Sequence, residues 1–156
     1  MKKSKYLGFD NLEQYNEQFK IPVSSISNNA GNYGSDVITK AIDNNIDTHW
    51  ETNKPNSNTF KNEVTFDLGE MQEISKMSYA ARRAGKGFAT SFSIYVSTKA
   101  EGNDFILAGK GNYNGNASDV VEFDINDTTA RRVKFVFDSA IEYWASMGEM
   151  SFYKKD

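Results

Sequence analysis

Residues 132–137 read Arg-Val-Lys-Phe-Val-Phe, RVKFVF. Val133, Phe135 and Phe137 occupy every second position, and side chains two apart on an extended chain share one face. The hexapeptide therefore predicts a strand with one buried side. The same period recurs on both sides of it. EVTFDL at 63–68 offers Val64, Phe66 and Leu68, and FSIYVS at 92–97 offers Phe92, Ile94 and Val96. VVEFDI at 120–125 offers Val121, Phe123 and Ile125, and EMSFY at 149–153 offers Met150 and Phe152. Turn-rich stretches such as NKPNSN, RAGKG and GNYNGN separate them. Short strands at this spacing, with no helical period between them, predict an all-β chain folded as an antiparallel sandwich or barrel.

One segment departs from this pattern. YLGFDNLEQYNEQFK at 6–20 places Leu12, Tyr15 and Phe19 on one helical face, which predicts a short helical N-terminal extension. Pro22 marks its boundary, so residues 1–20 read as a leader or linker and 21–156 as the compact domain.

The whole composition narrows the functional classes. A chain of 156 residues suits one domain. Eighteen Lys and Arg against 21 Asp and Glu give a net charge of −3, and no basic run exceeds a pair, which argues against nucleic acid as a partner. No stretch approaches the ~20 apolar residues of a membrane-spanning helix, and the lysines of MKKSKYLGFDNLEQ have no apolar segment behind them. The absence of cysteine excludes disulfides, zinc–thiolate sites and thiol chemistry.

Catalytic signatures are missing as well. There is no GxSxG, HExxH or GxxxxGK[ST] pattern, and GKGNYNG at 109–115 lacks the helix that a nucleotide fingerprint needs. His49, the only histidine, reads as an exposed loop residue. The many acidic residues could supply a glycosidase pair, yet nothing in the sequence singles one out. An enzyme is the least supported class.

The polar stretch KAIDNNIDTHWET at 40–52 is rich in the hard oxygen donors that calcium takes, ~6–8 at a time. Asp43, Asn45 and Asp47 stand at the first, third and fifth positions of an EF-hand loop, but Thr48 replaces its turn glycine and Lys54 its bidentate glutamate. A metal loop of another kind is one reading. A plain turn at Asn44 and Asn45, with Trp50 plugging the core, is the other.

AIDNNIDTHWET, followed in order by EVTFDLGEMQEISKMSY, ARR, FATSFSIYVST, RRVKFVF and WASMGEMSFY, resembles the coagulation factor V/VIII type C, or discoidin-like, domains. Among these it is most similar to the bacterial branch classed as family 32 carbohydrate-binding modules, over roughly residues 21 to 154. The resemblance implies an eight-stranded, jelly-roll-like β-sandwich without catalytic activity, appended to secreted glycan- or mucin-active enzymes, and hence a secreted or cell-surface location. It further implies a structural Ca2+ held by Asp43, Asn45, Thr48 and Glu149, with the Lys40 carbonyl alongside. Asn44 stands where the family has glycine, and asparagine tolerates the left-handed backbone that glycine usually supplies.

For a sugar, the resemblance implies loops at one end of the sandwich. An aromatic ring stacks on the pyranose C–H face while charged or amide groups bind its hydroxyls. Glu51 and Arg82 match the family's polar pair, and a surface ion pair is the alternative for them. Lys86 stands where the galactose-binding pattern has asparagine. Arg83, Lys86 and Phe88 share the glycine-flanked loop RRAGKGFATS, where Phe88 is either a stacking platform or a core anchor. Tyr143 and Trp144 in IEYWAS should point opposite ways, one exposed and one buried, with Trp144 favoured as the contact. The sequons at Asn116 and Asn126 would mean nothing in a bacterial protein.

The expected function is a monomeric, non-catalytic module. It would target a larger enzyme to terminal galactose, GalNAc or GlcNAc on mucin-like or host glycans. An adhesion domain for protein or phospholipid is the alternative, although NKPNSNTF and RRAGKGF offer a membrane only one Phe each.

Overall fold

The computed structural model describes residues 2–8, 19–113 and 119–155. Nine strands lie among them: β1 (Lys2–Gly8), β2 (Ser25–Asn28), β3 (Trp50–Glu51), β4 (Glu63–Ala80), β5 (Ala89–Ser97), β6 (Ile106–Asn112), β7 (Asp119–Ala140), β8 (Ser146–Met147) and β9 (Glu149–Tyr153). A 3-10 helix covers Ile38–Ile42. Seven strands hydrogen-bond into one sheet, ordered β2-β4-β7-β5-β6 with β1 on β7 and β9 on β4, while β3 and β8 pair separately. All pairings are antiparallel.

The sandwich arises because β4 and β7 are long enough to serve both layers. The first part of β4, Glu63 to Asp67, lies between β2 and the second half of β7. Its last part, Lys76 to Ala80, lies between β9 and the first half of β7. Register breaks after Asp67 and after Ile74 separate the two parts. Gly69 at φ 80° sits at the first break, and Asn126 and Asp127, at φ 56° and 51°, bulge β7 opposite the second. Such bulges bend a strand and let it change layers.

Aromatic contacts show the two layers facing each other. Phe66 of β4 meets Phe152 of β9 edge-on at 5.0 Å, and Phe92 of β5 meets Phe123 of β7 at 4.9 Å. Tyr79 stacks on Phe135 at 5.3 Å. Every alternating residue named from the sequence is buried, from Val64 at 0% exposed to Leu68 at 5%. Ile21, just before Pro22, is also buried.

The helix expected over 6–20 needs correcting at its first residues, 6–8. Residues 2–8, which overlap the start of the expected helix, form a strand paired with Asp119 to Asp124 of β7. That pairing satisfies backbone groups along the open edge of β7, which local helical spacing cannot do. Leu12 and Tyr15 lie outside the described residues, and so does the sequon at Asn116. Among the described residues no helix is long and apolar enough to cross a membrane.

Candidate carbohydrate site and metal loop

Three segments meet at one end of the sandwich. β3 pairs with β8 through Trp50–Met147 and Glu51–Ser146, and the ladder runs on through Thr52 N–H to the Ala145 carbonyl at 2.9 Å and Asn56 N–H to the Tyr143 carbonyl at 2.6 Å. The 82–88 loop is stitched to the same strand. Ser146 N–H donates to the Gly87 carbonyl at 2.7 Å, Ser146 Oγ to the Lys86 carbonyl at 2.6 Å, and Ile141 N–H to the Phe88 carbonyl at 3.0 Å. Tyr79 fixes this junction from below, its hydroxyl accepting from Ala89 N–H at 3.0 Å and donating to the Ser146 carbonyl at 3.3 Å.

Glu51 and Arg82 are brought together here, Oε2 to Nη1 at 3.0 Å. At 20% and 17% exposed they are mostly withdrawn from water, unlike the solvated surface pair of the alternative reading. Arg82 Nε is buried without a hydrogen-bond partner. His49, two residues before Glu51, corrects the reading of it as an exposed loop histidine. Its side chain is 21% exposed, and Nε2 lies 3.2 Å from Asp36 Oδ2, outside hydrogen-bond geometry. Burial lowers the His49 pKa and the Arg82 charge lowers it further, while Asp36 and Glu51 raise it. The imidazole is thus neutral at pH 7 and offers one donor and one acceptor. Tyr33, 60% exposed, donates its N–H to the Glu51 carbonyl at 2.8 Å.

Asp36, His49 and Glu51 lie close enough to share a metal, but the Arg82 guanidinium already bonds to Glu51 there. Sequence reasoning missed Asp36, His49 and Tyr33. For His49 the signal was available, since residues i and i+2 of an extended chain share a face.

The aromatic residues divide. Tyr143 and Trp144 are both exposed, at 72% and 42%, against the expectation of one in and one out. Alternation requires extended backbone, and Glu142 and Tyr143 instead adopt left-handed conformations at φ 58° and 68°. Two consecutive non-glycine residues in this region cost on the order of 1–3 kcal/mol each, and such strain gathers at functional sites. Phe88 packs against the core and meets Tyr113 edge-on at 5.4 Å, which supports the anchoring role. Lys86 is exposed, and Arg83 is held by Asp47 in an exposed ion pair.

Gly87 shows how tightly this end is packed. At φ +72°, an added Cβ would lie 2.2 Å from the Trp144 carbonyl oxygen. Gly87→Ala is expected to cost about 2 kcal/mol or more in urea unfolding, because it combines left-handed strain with displacement of the Trp144 turn.

The candidate metal loop, 40–48, precedes Glu51 in the chain. Asp43 follows the 3-10 helix, whose last-turn carbonyls include that of Lys40. Asp43 Oδ1 accepts from Asn45 N–H at 2.9 Å and Oδ2 from the Thr48 hydroxyl, while Asn45 Oδ1 accepts from Asp47 N–H at 2.9 Å. Asn44 takes the left-handed φ of 61° expected of it. Glu149, 2% exposed, comes in from β9, and neither of its carboxylate oxygens has a hydrogen-bond partner. Burial, and then the neighbouring Asp43 carboxyl, push the Glu149 carboxyl up to about 9. The Lys20 ammonium stands at the rim, bonded to Asn44 Oδ1. Two carboxylates beside amide, hydroxyl and carbonyl oxygens, one of them buried with both oxygens unpartnered, are a donor set that fits a hard cation.

The fold and the residues at this end define a class. The F5/8 type C domain model matches residues 22–150, and the chain belongs to that family. Solved structures similar to it are family 32 carbohydrate-binding modules (CBM32), which are binding domains and not catalytic ones. The structure of the CBM32-1 and CBM32-2 domains of ZmpB from Clostridium perfringens is 43% identical with a TM-score of 0.90, covering all of this chain and 43% of that one. The same pair of domains in complex with GalNAc is 43% identical with a TM-score of 0.89, covering 99% of this chain and 42% of that one. A structure that adds the M60 catalytic domain of ZmpB is 44% identical with a TM-score of 0.88, covering 97% of this chain and 17% of that one. This chain thus spans less than half the length of each. No curated protein sequence is significantly similar to it.

Proposed function

We propose that the module binds a terminal GalNAc- or galactose-type sugar at the Glu51–Arg82 pair. It would thereby hold a larger secreted or surface enzyme against mucin-like or other host glycans. The mostly buried ion pair beside the exposed Trp144 turn carries this reading. Glu51 can accept from sugar hydroxyls, Arg82 donates in a fixed fork, and Trp144 supplies a ring for the pyranose face. The GalNAc complex of the 43%-identical ZmpB domains supports the same sugar class. In this reading Ca2+ sits among Asp43, Asn45, Thr48, Glu149 and the Lys40 carbonyl and braces the loop that leads into Glu51.

Adhesion to a membrane is less favoured, because both candidate apolar spikes are engaged. The Lys54 ammonium lies 3.8 Å above the Phe60 ring, and Phe88 packs inward. A monomer with one shallow site binds weakly, so neighbouring modules would supply avidity. Calorimetric titration of the isolated module with GalNAc, galactose and GlcNAc tests the reading. Dissociation constants in the ~0.1–1 mM range for GalNAc or galactose are expected. A folded module that binds none of them, nor any sugar on a glycan array, would overturn it.

A further inference from the structure

A cleft lies beside the turn that carries Tyr143, and its walls have the chemistry of a sugar site. It encloses about 300 Å³ and is bounded by Tyr143, Asn58, Lys61, Asp138 and Ser139, with Asn56 at its floor. Asn56 is buried and spoken for, accepting from Asn62 N–H at 2.7 Å, so it fixes the shape of the cleft without serving as a ligand group. The other polar groups keep bonding capacity. Lys61 Nζ gives one proton to the Asp138 carbonyl at 2.7 Å and retains two. Asp138 Oδ2 accepts from Ser93 Oγ at 2.5 Å, and the carboxylate keeps further accepting capacity. The Ser139 hydroxyl is ordered by contacts with Thr90 at 2.5 Å and Ser91 at 2.6 Å.

Tyr143 forms the apolar wall of this cleft. It is the most exposed large hydrophobic side chain among the described residues, at 72%, and the left-handed pair Glu142–Tyr143 holds it out at a cost in backbone strain. Strain of that kind persists where the surrounding structure over-determines it, here through Asn56 N–H to the Tyr143 carbonyl at 2.6 Å, and it gathers at binding sites. The distance to the first site also fits. Tyr143 is three residues from Ser146, the partner of Glu51, so at most ~11 Å of chain separates the two positions. That is the reach of two linked sugars.

We propose that this cleft is a second subsite, taking the sugar next to the terminal residue held at Glu51 and Arg82. The module then recognises a disaccharide or longer glycan. The inference rests on the first site being a sugar site. Lys61 and Asp138 bring a donor and an acceptor of opposite charge to the cleft, which suits the hydroxyls of a neutral sugar, since each can accept from the ammonium and donate to the carboxylate.

The test is calorimetry with GalNAc and with a panel of disaccharides carrying GalNAc at the non-reducing end, 1,3-, 1,4- or 1,6-linked to a neutral sugar. At least one disaccharide is expected to bind about ten-fold tighter than GalNAc, from one added stacking contact and one or two hydrogen bonds. Tyr143→Ala should bring the disaccharide-to-monosaccharide affinity ratio to about one, and Tyr143→Phe should restore most of it. Lys61→Ala should reduce the ratio while GalNAc itself binds as in the wild type. GalNAc binding with no gain for any disaccharide, or a gain that survives Tyr143→Ala, overturns the subsite alone. A wild-type module that binds neither GalNAc nor any disaccharide overturns the first reading, and the subsite falls with it.

Discussion

Addition of EDTA to the calcium-loaded module is expected to lower its thermal midpoint by roughly 10 °C. A ligand at ~1,000 times its dissociation constant stabilises the state that binds it by about 4 kcal/mol, and for a domain of this size each kcal/mol moves the midpoint by ~2–4 °C. The physical source is Glu149. Its buried carboxyl and that of Asp43 repel when both are charged, and a divalent cation replaces that repulsion with attraction. Glu149→Gln removes the repulsion together with the ligand, so this variant should fold and show no difference between calcium and EDTA.

The pH dependence has a definite sign. Without calcium, Glu149 holds its proton in the fold up to about 9 but loses it near 4.5 in the unfolded chain. Its contribution is complete below 4.5 and is lost as the pH rises toward 9, and calcium, taking the proton's place, should stabilise more over that same interval. Identical melting curves in EDTA, magnesium and calcium would remove the metal from the proposal.

Arg82→Ala is expected to weaken binding of GalNAc or galactose by at least ~100-fold. The guanidinium supplies charge-assisted bonds worth about 1.5–3 kcal/mol each, and its loss also frees Glu51 to swing out of position. Arg82→Lys keeps the charge but not the planar fork, so an intermediate affinity should result. Glu51 would be left mostly buried beside the neutral His49, and some loss of stability should accompany the change. Melting curves taken alongside the titrations separate the two effects. Wild-type affinity in a folded Arg82→Ala variant would place the sugar elsewhere on the surface.

The parts of this molecule legible in the sequence are those set by local periodicity. Val133, Phe135 and Phe137 announced β7, and all three are fully buried. The left-handed Asn44 was legible because asparagine is one of the few residues that takes that conformation cheaply. What stayed hidden depends on contacts between distant segments. Glu51 and Arg82 could be matched to a motif, but their 3.0 Å approach and their low exposure come from the stitching of three loops. Tyr143 and Trp144 broke the alternation rule because two adjacent residues left the extended conformation, and nothing in the types Glu and Tyr signals that. The helical period at the N-terminus was real as a pattern. At residues 6–8, where that segment starts, pairing with the edge of β7 prevailed over it.

The sharing of β4 and β7 between both layers also bears on how quickly the molecule can form. Glu63 must find Val136 and Ala80 must find Val120 before either layer has its centre, and these partners lie far apart along the chain. Closing such loops delays the transition state, so refolding is expected on the millisecond-to-second scale typical of β-sandwiches. Neither half of the sandwich can mature first and template the other. A nascent chain that ends before β7 would leave one edge of Glu63–Asp67 and both edges of Lys76–Ala80 unpaired, a surface open to pairing with other chains until the rest of the sequence arrives.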